Sequence, residues 1–281
     1  MTPPLVLKFG GELLEDTSRM AVVVAAVKDI AGGAGGMPPA PVTIVHGGGK
    51  EIDAALKTAG IDRRQVDGLR ITDEATLEIV VAVLAGAVNT RFVAALAAAG
   101  VSAVGLTGAD GGFGLSDAAP PHRTVGGRTV DLGRVGIPSD RADMHLLVTL
   151  LQAGFVPVVA SIGADRDGRL LNVNADTMAG HLAARLGARR LVIAGSTSGV
   201  LDDAGATMPV LDPAAIARLV GGGTATAGMI AKLRACEHAL SHGVDEVIIV
   251  DGRDRGALCA AACGAIPASA TRVATTVGIR S

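Results

Sequence analysis

Leu7-Lys8-Phe9-Gly10-Gly11 and Ile44-Val45-His46-Gly47-Gly48-Gly49-Lys50 share one pattern: an apolar run that stops at glycines, with a helix-like stretch behind it. Strands covered on both faces carry Val, Ile and Leu at nearly every position, so this pattern, repeated, describes a parallel sheet flanked by helices. The runs read as strands are Leu5–Phe9, Val42–His46, Val101–Leu106, Val156–Ser161, Arg190–Ala194 and Glu246–Val250. Helix-like stretches lie near 17–31, 49–59, 73–99, 140–153, 175–187, 213–220, 228–242 and 255–263. The expected fold is α/β, a three-layer αβα sandwich on a mainly parallel central sheet. Segment 107–139, rich in Gly, Pro, Asp and Arg, predicts hairpins beside that sheet. A second hairpin is expected over Ala164–Asn172, turning at Asp167-Gly168, and mobile loops at Gly32–Pro41 and Gly221–Thr226.

Composition narrows the function classes. Of 281 residues, 49% are hydrophobic and 19% charged, ample for a core and too apolar for disorder. There is no Trp or Tyr and there are four Phe, which argues against stacking of nucleobases on aromatic platforms. A net charge of −2 removes the electrostatic case for nucleic acid or a membrane surface, leaving small molecules as partners. Cys236, Cys259 and Cys263 fit no zinc spacing and read as buried reduced thiols. No secretory signal or uninterrupted apolar run of about 18 residues is seen, so a cytoplasmic protein is expected.

Candidate site residues follow from where glycines and charges fall. Ligands of open α/β sheets collect at the carboxyl ends of strands, where exposed N–H groups and helix N-termini hold anions. Lys8 ends the first strand there, and Gly47-Gly48-Gly49 ends the second without forming a Walker A loop. Arg70, in Gly68-Leu69-Arg70-Ile71-Thr72, has the fork that clamps a carboxylate. In Asn172-Val173-Asn174-Ala175-Asp176, an extended backbone would put both asparagines and Asp176 on one face. Lys232 follows Gly228-Met229 about one turn into a helix, where a cation is unfavourable unless an anion binds nearby. Taken singly, each of these has an ordinary structural explanation.

In order, Leu7–Gly11, Val45–Gly49, Gly68–Thr72, Val104–Gly112, Asp131–Gly136, Pro157–Gly163, Asn172–Asp176, Ser198–Leu201, Gly228–Lys232 and Asp251–Arg253 resemble the amino-acid kinase family. Within it, the members acting on N-acetyl-L-glutamate are the most similar. The resemblance implies one domain over 1–281, an N-terminal lobe to about residue 170 for the amino-acid substrate and a C-terminal lobe from about 171 for ATP. It implies transfer of phosphate from ATP, with magnesium carried on the nucleotide phosphates, to the substrate's side-chain carboxylate, a step of arginine biosynthesis.

The same resemblance assigns roles. Lys8, Lys232 and Asp176 would be catalytic, with Asp176 holding the two lysines. Gly48, Gly49, Arg70, Asn172 and Asn174 would bind substrate, and Gly10, Gly11, Ser196, Gly199, Val200, Leu201, Gly228 and Met229 the nucleotide. No residue is expected to bind metal directly. One departure stands out: the family's Ser/Thr-Asp-Val is Gly195-Ser196-Thr197 here, so a carboxylate expected near ATP is missing. Arginine-inhibited hexamers resemble one another in an N-terminal helix for which seven residues before Lys8 leave no room. A homodimer insensitive to arginine is therefore expected, formed through helix 73–99 by Leu77, Val80, Val81, Val83 and Leu84. The alternatives are a kinase of the same superfamily for carrier-bound aminoadipate, aspartate or glutamate, and a catalytically silent ligand sensor.

Overall fold

A computed structural model describes residues 2–33, 39–124, 126–221 and 227–274. The expected loops Gly32–Pro41 and Gly221–Thr226 fall largely outside the described residues. An eight-stranded sheet is built from β1 (Leu5–Phe9), β2 (Val42–His46), β3 (Ala103–Thr107), β4 (Val156–Ala160), β5 (Arg190–Gly195), β6 (Val210–Leu211), β7 (Glu246–Asp251) and β8 (Ala270–Val273). Their spatial order is β6-β8-β7-β5-β1-β2-β4-β3. All neighbours run parallel except β7 and β8. The six long strands lie where the apolar runs predict them, and β6 and β8, too short to show as runs, add one edge. β3 starts two residues later than expected, because the Val101 N–H closes the preceding helix on Leu96 O.

Among the described residues the longer helices are α1 (Thr17–Gly32), α2 (Gly49–Thr58), α3 (Glu74–Ala98), α4 (His145–Gln152), α5 (Ala175–Arg185), α6 (Pro213–Gly221), α7 (Ala227–Ser241) and α8 (Arg255–Cys263). Because side chains alternate along a strand, β1 sends Leu5, Leu7 and Phe9 to a core shared with α1, α8 and the end of α3. Val6 enters the opposite core, under α4, α5 and α7. This is the expected αβα sandwich. α4 begins at His145 rather than near 140, since the Asp143 side chain accepts the His145 N–H and turns the chain there. α5 and α7 cross so closely at Gly180 that a Cβ there would lie 2.7 Å from Ala235 O.

α3 contains a π-helical stretch, Ala82–Val88, that no pattern in the sequence announces. Leu77, Val80 and Leu84, expected as surplus surface for a dimer, are instead buried, Val80 and Leu84 against α2 and the end of β4, while Val81 and Val83 are half-buried. Among the described residues α3 is the one helix long and apolar enough to cross a membrane by length and composition, yet it also buries Val88, Phe92 and Leu96. The hairpin region folds as expected into short strands beside the main sheet, Ser116–Ala118 and Val135–Pro138 among them. Ile162–Ala164 pairs antiparallel with Leu170–Asn172, so the second hairpin starts two residues earlier than expected. Of the cysteines all three are free, but only Cys236 is buried; Cys259 is half-buried and Cys263, at the end of α8, is exposed.

Candidate active site

β1 lies where the strand order reverses, with β2 on one side and β5 on the other, so the crevice at their carboxyl ends is the natural ligand site. Each strand-end turn is tied to its neighbour. Gly10 N–H donates to Ala194 O (3.0 Å), Gly47 N–H to Phe9 O (3.3 Å) and Gly252 N–H to Gly195 O (2.8 Å). The first two turns touch backbone to backbone: a Cβ on Gly11 would sit 2.6 Å from Gly48 Cα. Only glycine permits that approach.

The structure brings three charged candidates together at this point. Lys8 Nζ lies 2.9 Å from Asp176 Oδ1, with both side chains 10% exposed. Asp176 sits in the first turn of α5, where the helix dipole favours an acid. The Lys232 ammonium is held below the usual lysine range by burial, with Lys8 adding to the depression and Asp176 and Glu12 opposing it. Two cations therefore feel the charge of one carboxylate, an arrangement that suits a bound anion.

Glu12 is a site residue that the sequence reading missed. A Cβ on Gly195 would be 3.5 Å from Glu12 Oε1 and 3.7 Å from Lys232 Nζ, so a carboxylate stands beside Lys232 although Ser196 supplies none. Its only signal was an acid directly behind a Gly-Gly turn.

The substrate candidates separate into two groups. Arg70 pairs with Asp53 of α2 and donates to Gly49 O at 3.4 Å, while its Nη1 is buried without a partner. A buried guanidinium nitrogen left unsatisfied is costly unless a ligand takes it. Asn172 donates to Thr72 Oγ1 (3.1 Å) and stands near that loop. Asn174, in extended backbone just past the strand end at Val173, caps α5 by accepting the N–H groups of Asp176 and Thr177. That is a common job for Asn before a helix.

Of the nucleotide candidates, half-buried Ser196 directly follows Gly195. Gly199 (φ +68°) packs against Thr271, where a Cβ would be 2.4 Å from Oγ1. The Val200 N–H already donates to Thr271 Oγ1 (2.8 Å), and Leu201 is 41% exposed. Gly228 is exposed and Met229 half-buried in the first turn of α7, ahead of Lys232.

Residues 3–251 match the family model described as the amino acid kinase family. The chain belongs to that family. It is 42% identical over 263 residues to the acetylglutamate kinase of Novosphingobium aromaticivorans, covering 88% of this chain and 83% of that protein. It is 39% identical to the acetylglutamate kinase of Methanopyrus kandleri, covering 88% of this chain and 94% of the other. Among solved structures, an N-acetylglutamate synthase from Neisseria gonorrhoeae superposes with a TM-score of 0.80 at 23% identity, over 98% of this chain. This chain spans 60% of that protein, and the likeness shows the fold alone. The fold of this kinase family is thus the αβα sandwich read from the sequence.

Proposed function

We propose that this chain transfers the γ-phosphoryl group of ATP to the side-chain carboxylate of N-acetyl-L-glutamate, giving N-acetyl-L-glutamyl 5-phosphate and ADP in arginine biosynthesis. The observation that carries the reading is the meeting of Lys8 and Lys232 around Asp176, in a chain about 40% identical to acetylglutamate kinases over most of its length. A carboxylate oxygen of the substrate forms the new bond to the γ-phosphorus as the bond to the β–γ bridging oxygen breaks, so no protein nucleophile is needed. Catalysis then rests on position and charge. Lys8 and Lys232 stabilise the charge on the transferring group, and Asp176 keeps the two cations together. The unpartnered Arg70 Nη1 supports a contact with a substrate carboxylate, with Gly48, Gly49 and Asn172 around it.

On this reading the N-terminal lobe, to about residue 170, holds the amino acid and the rest holds ATP. Magnesium arrives on the nucleotide phosphates, neutralising their charge. Glu12 supports this assignment by supplying a carboxylate at the mouth of the nucleotide side. The three free cysteines support a reducing cytoplasm. We infer a homodimer through α3, whose most apolar stretch is only 33% buried within one chain.

ADP release with magnesium and ATP tests the function, measured with acetylglutamate, glutamate, aspartate and N-acetylaminoadipate, with Lys8→Ala alongside. Turnover confined to acetylglutamate and lost in the variant is the expected result. Binding of acetylglutamate with no turnover of any acid would overturn it.

A further inference from the structure

The Gly47–Gly49 turn rests on a buried polar assembly that the chemistry above does not use. His46, the last residue of β2, is fully buried. Its Nδ1 lies 3.2 Å from Gly47 O and its Nε2 3.0 Å from Asn89 Nδ2. Asn89, 5% exposed, also reaches Val158 O of β4 at 2.9 Å. Gly105 on β3 makes room for it, since a Cβ there would be 2.2 Å from Asn89 Oδ1. Phe92, one turn on, meets the imidazole edge to face at 6.4 Å.

The proton positions follow by elimination. A carbonyl only accepts, so Val158 O fixes which end of the Asn89 amide carries its N–H groups. The second N–H of that amide then faces His46 Nε2, which must be the bare nitrogen. Burial, with Arg91 adding to it, drives the imidazole down to about 4, so the ring is neutral near neutral pH. Its one proton is on Nδ1 and is donated to Gly47 O.

The consequence is geometric. In a trans peptide the C=O and the next N–H are coplanar and point in opposite directions. Tethering Gly47 O inward onto His46 therefore turns the Gly48 N–H outward, toward the crevice. That N–H has no acceptor among the described residues. The π-helical stretch of α3, which Asn89 directly follows, clamps the same peptide from below, for a Cβ on Gly48 would be 2.8 Å from Leu84 Cδ2.

We propose that His46 and Asn89 are positioning residues: through the Gly47 carbonyl they aim the Gly48 N–H at the bound amino-acid substrate. The substrate's identity rests on the function proposed above; the tether and its tautomer do not. Two measurements separate the two. Long-range ¹H–¹⁵N spectra of the wild-type chain should show His46 protonated on Nδ1, bare on Nε2 and unchanged from about pH 8 to about pH 5. A ring protonated on Nε2, or titrating like a free histidine, overturns the proposal whatever the enzyme phosphorylates.

In kinetics, Asn89→Leu and His46→Gln should raise KM for acetylglutamate about tenfold or more, with KM for ATP within about twofold of wild type. His46→Asn, whose amide stands where Nδ1 stood, should recover most of the loss. Equal changes in both KM values, or no rescue by asparagine, would reduce the pair to core packing and sink the idea. If the wild-type chain turns over no acid at all, the function proposal fails and the spectra still decide this one.

Discussion

Lys8 Nζ lies 2.9 Å from Asp176 Oδ1, so one short ion pair joins the end of β1 to the first turn of α5 while Lys232 of α7 draws on the same carboxylate. Removing that charge leaves two buried ammonium groups facing each other. Asp176→Asn should therefore lower kcat by about 100-fold or more and destabilise the fold by about 3 kcal/mol. It should also move the alkaline limb of the pH–rate profile to lower pH, because Asp176 opposes the depression of Lys232. Rate profiles and urea melts check this; an unmoved alkaline limb would separate Lys232 from Asp176.

Arg70 offers a sharper test of substrate binding. Its guanidinium is anchored on Asp53, and one buried nitrogen is unsatisfied. Arg70→Lys keeps the charge and loses the fork, so KM for acetylglutamate should rise roughly 10- to 100-fold with kcat changed far less. Steady-state kinetics decide it, and a loss confined to kcat would place Arg70 among the groups acting only in the transition state.

How much of this was legible in sequence depended on whether each feature has a local cause. The six long strands were, because continuous Val, Ile and Leu runs mean burial on both faces. The strands Val210–Leu211 and Ala270–Val273 were not, since pieces so short join the sheet only through pairing, Ala270–Val273 with β7 and Val210–Leu211 with Ala270–Val273. Lys8, Lys232 and Asp176 were each ambiguous, as an ion pair between β1 and α5 has no signature in either segment. Asn174 carried a readable local signal, an Asn directly before an apolar helix, and the structure gives it the role of a cap. Asn89 carried one too: a lone amide in an Ala/Val-rich helix is buried only when something holds it.

Acid should weaken the protein in a defined window. His46 and His181 are pushed down to about 4 from 6.5, chiefly by burial. Both folded-state values are depressed, so the unfolded chain binds protons first as pH falls below 6.5. Stability is then lost progressively between about 6.5 and about 4 and levels off below that, by roughly 3 kcal/mol for fully buried His46 and less for His181. Asp251, held below its usual 3.8 mainly by its hydrogen bond with Arg253, adds its loss only below that value. Urea melts across this range should show the slope, and His181→Leu should flatten part of it. A flat profile down to about pH 5 would show that neither histidine is neutralised by folding.

The dimer reading makes its own demand on α3. Leu77, Val80 and Leu84 are committed to the core, so the small apolar residues left at the surface include Ala82, Gly86, Ala87 and Ala94, all exposed. Small residues let two helices approach closely, and apolar ones gain from leaving water. Gly86 is the cleanest place to intervene, because a Cβ there meets nothing within 4 Å. Gly86→Arg should leave one chain folded, even slightly steadier by helix propensity, while a long charged side chain obstructs the pairing. Light scattering should give a mass near twice 27.9 kDa for the wild type and near 27.9 kDa for the variant, with unchanged circular dichroism. A variant that stays dimeric would move the interface off this face of α3, and a monomeric wild type would remove it.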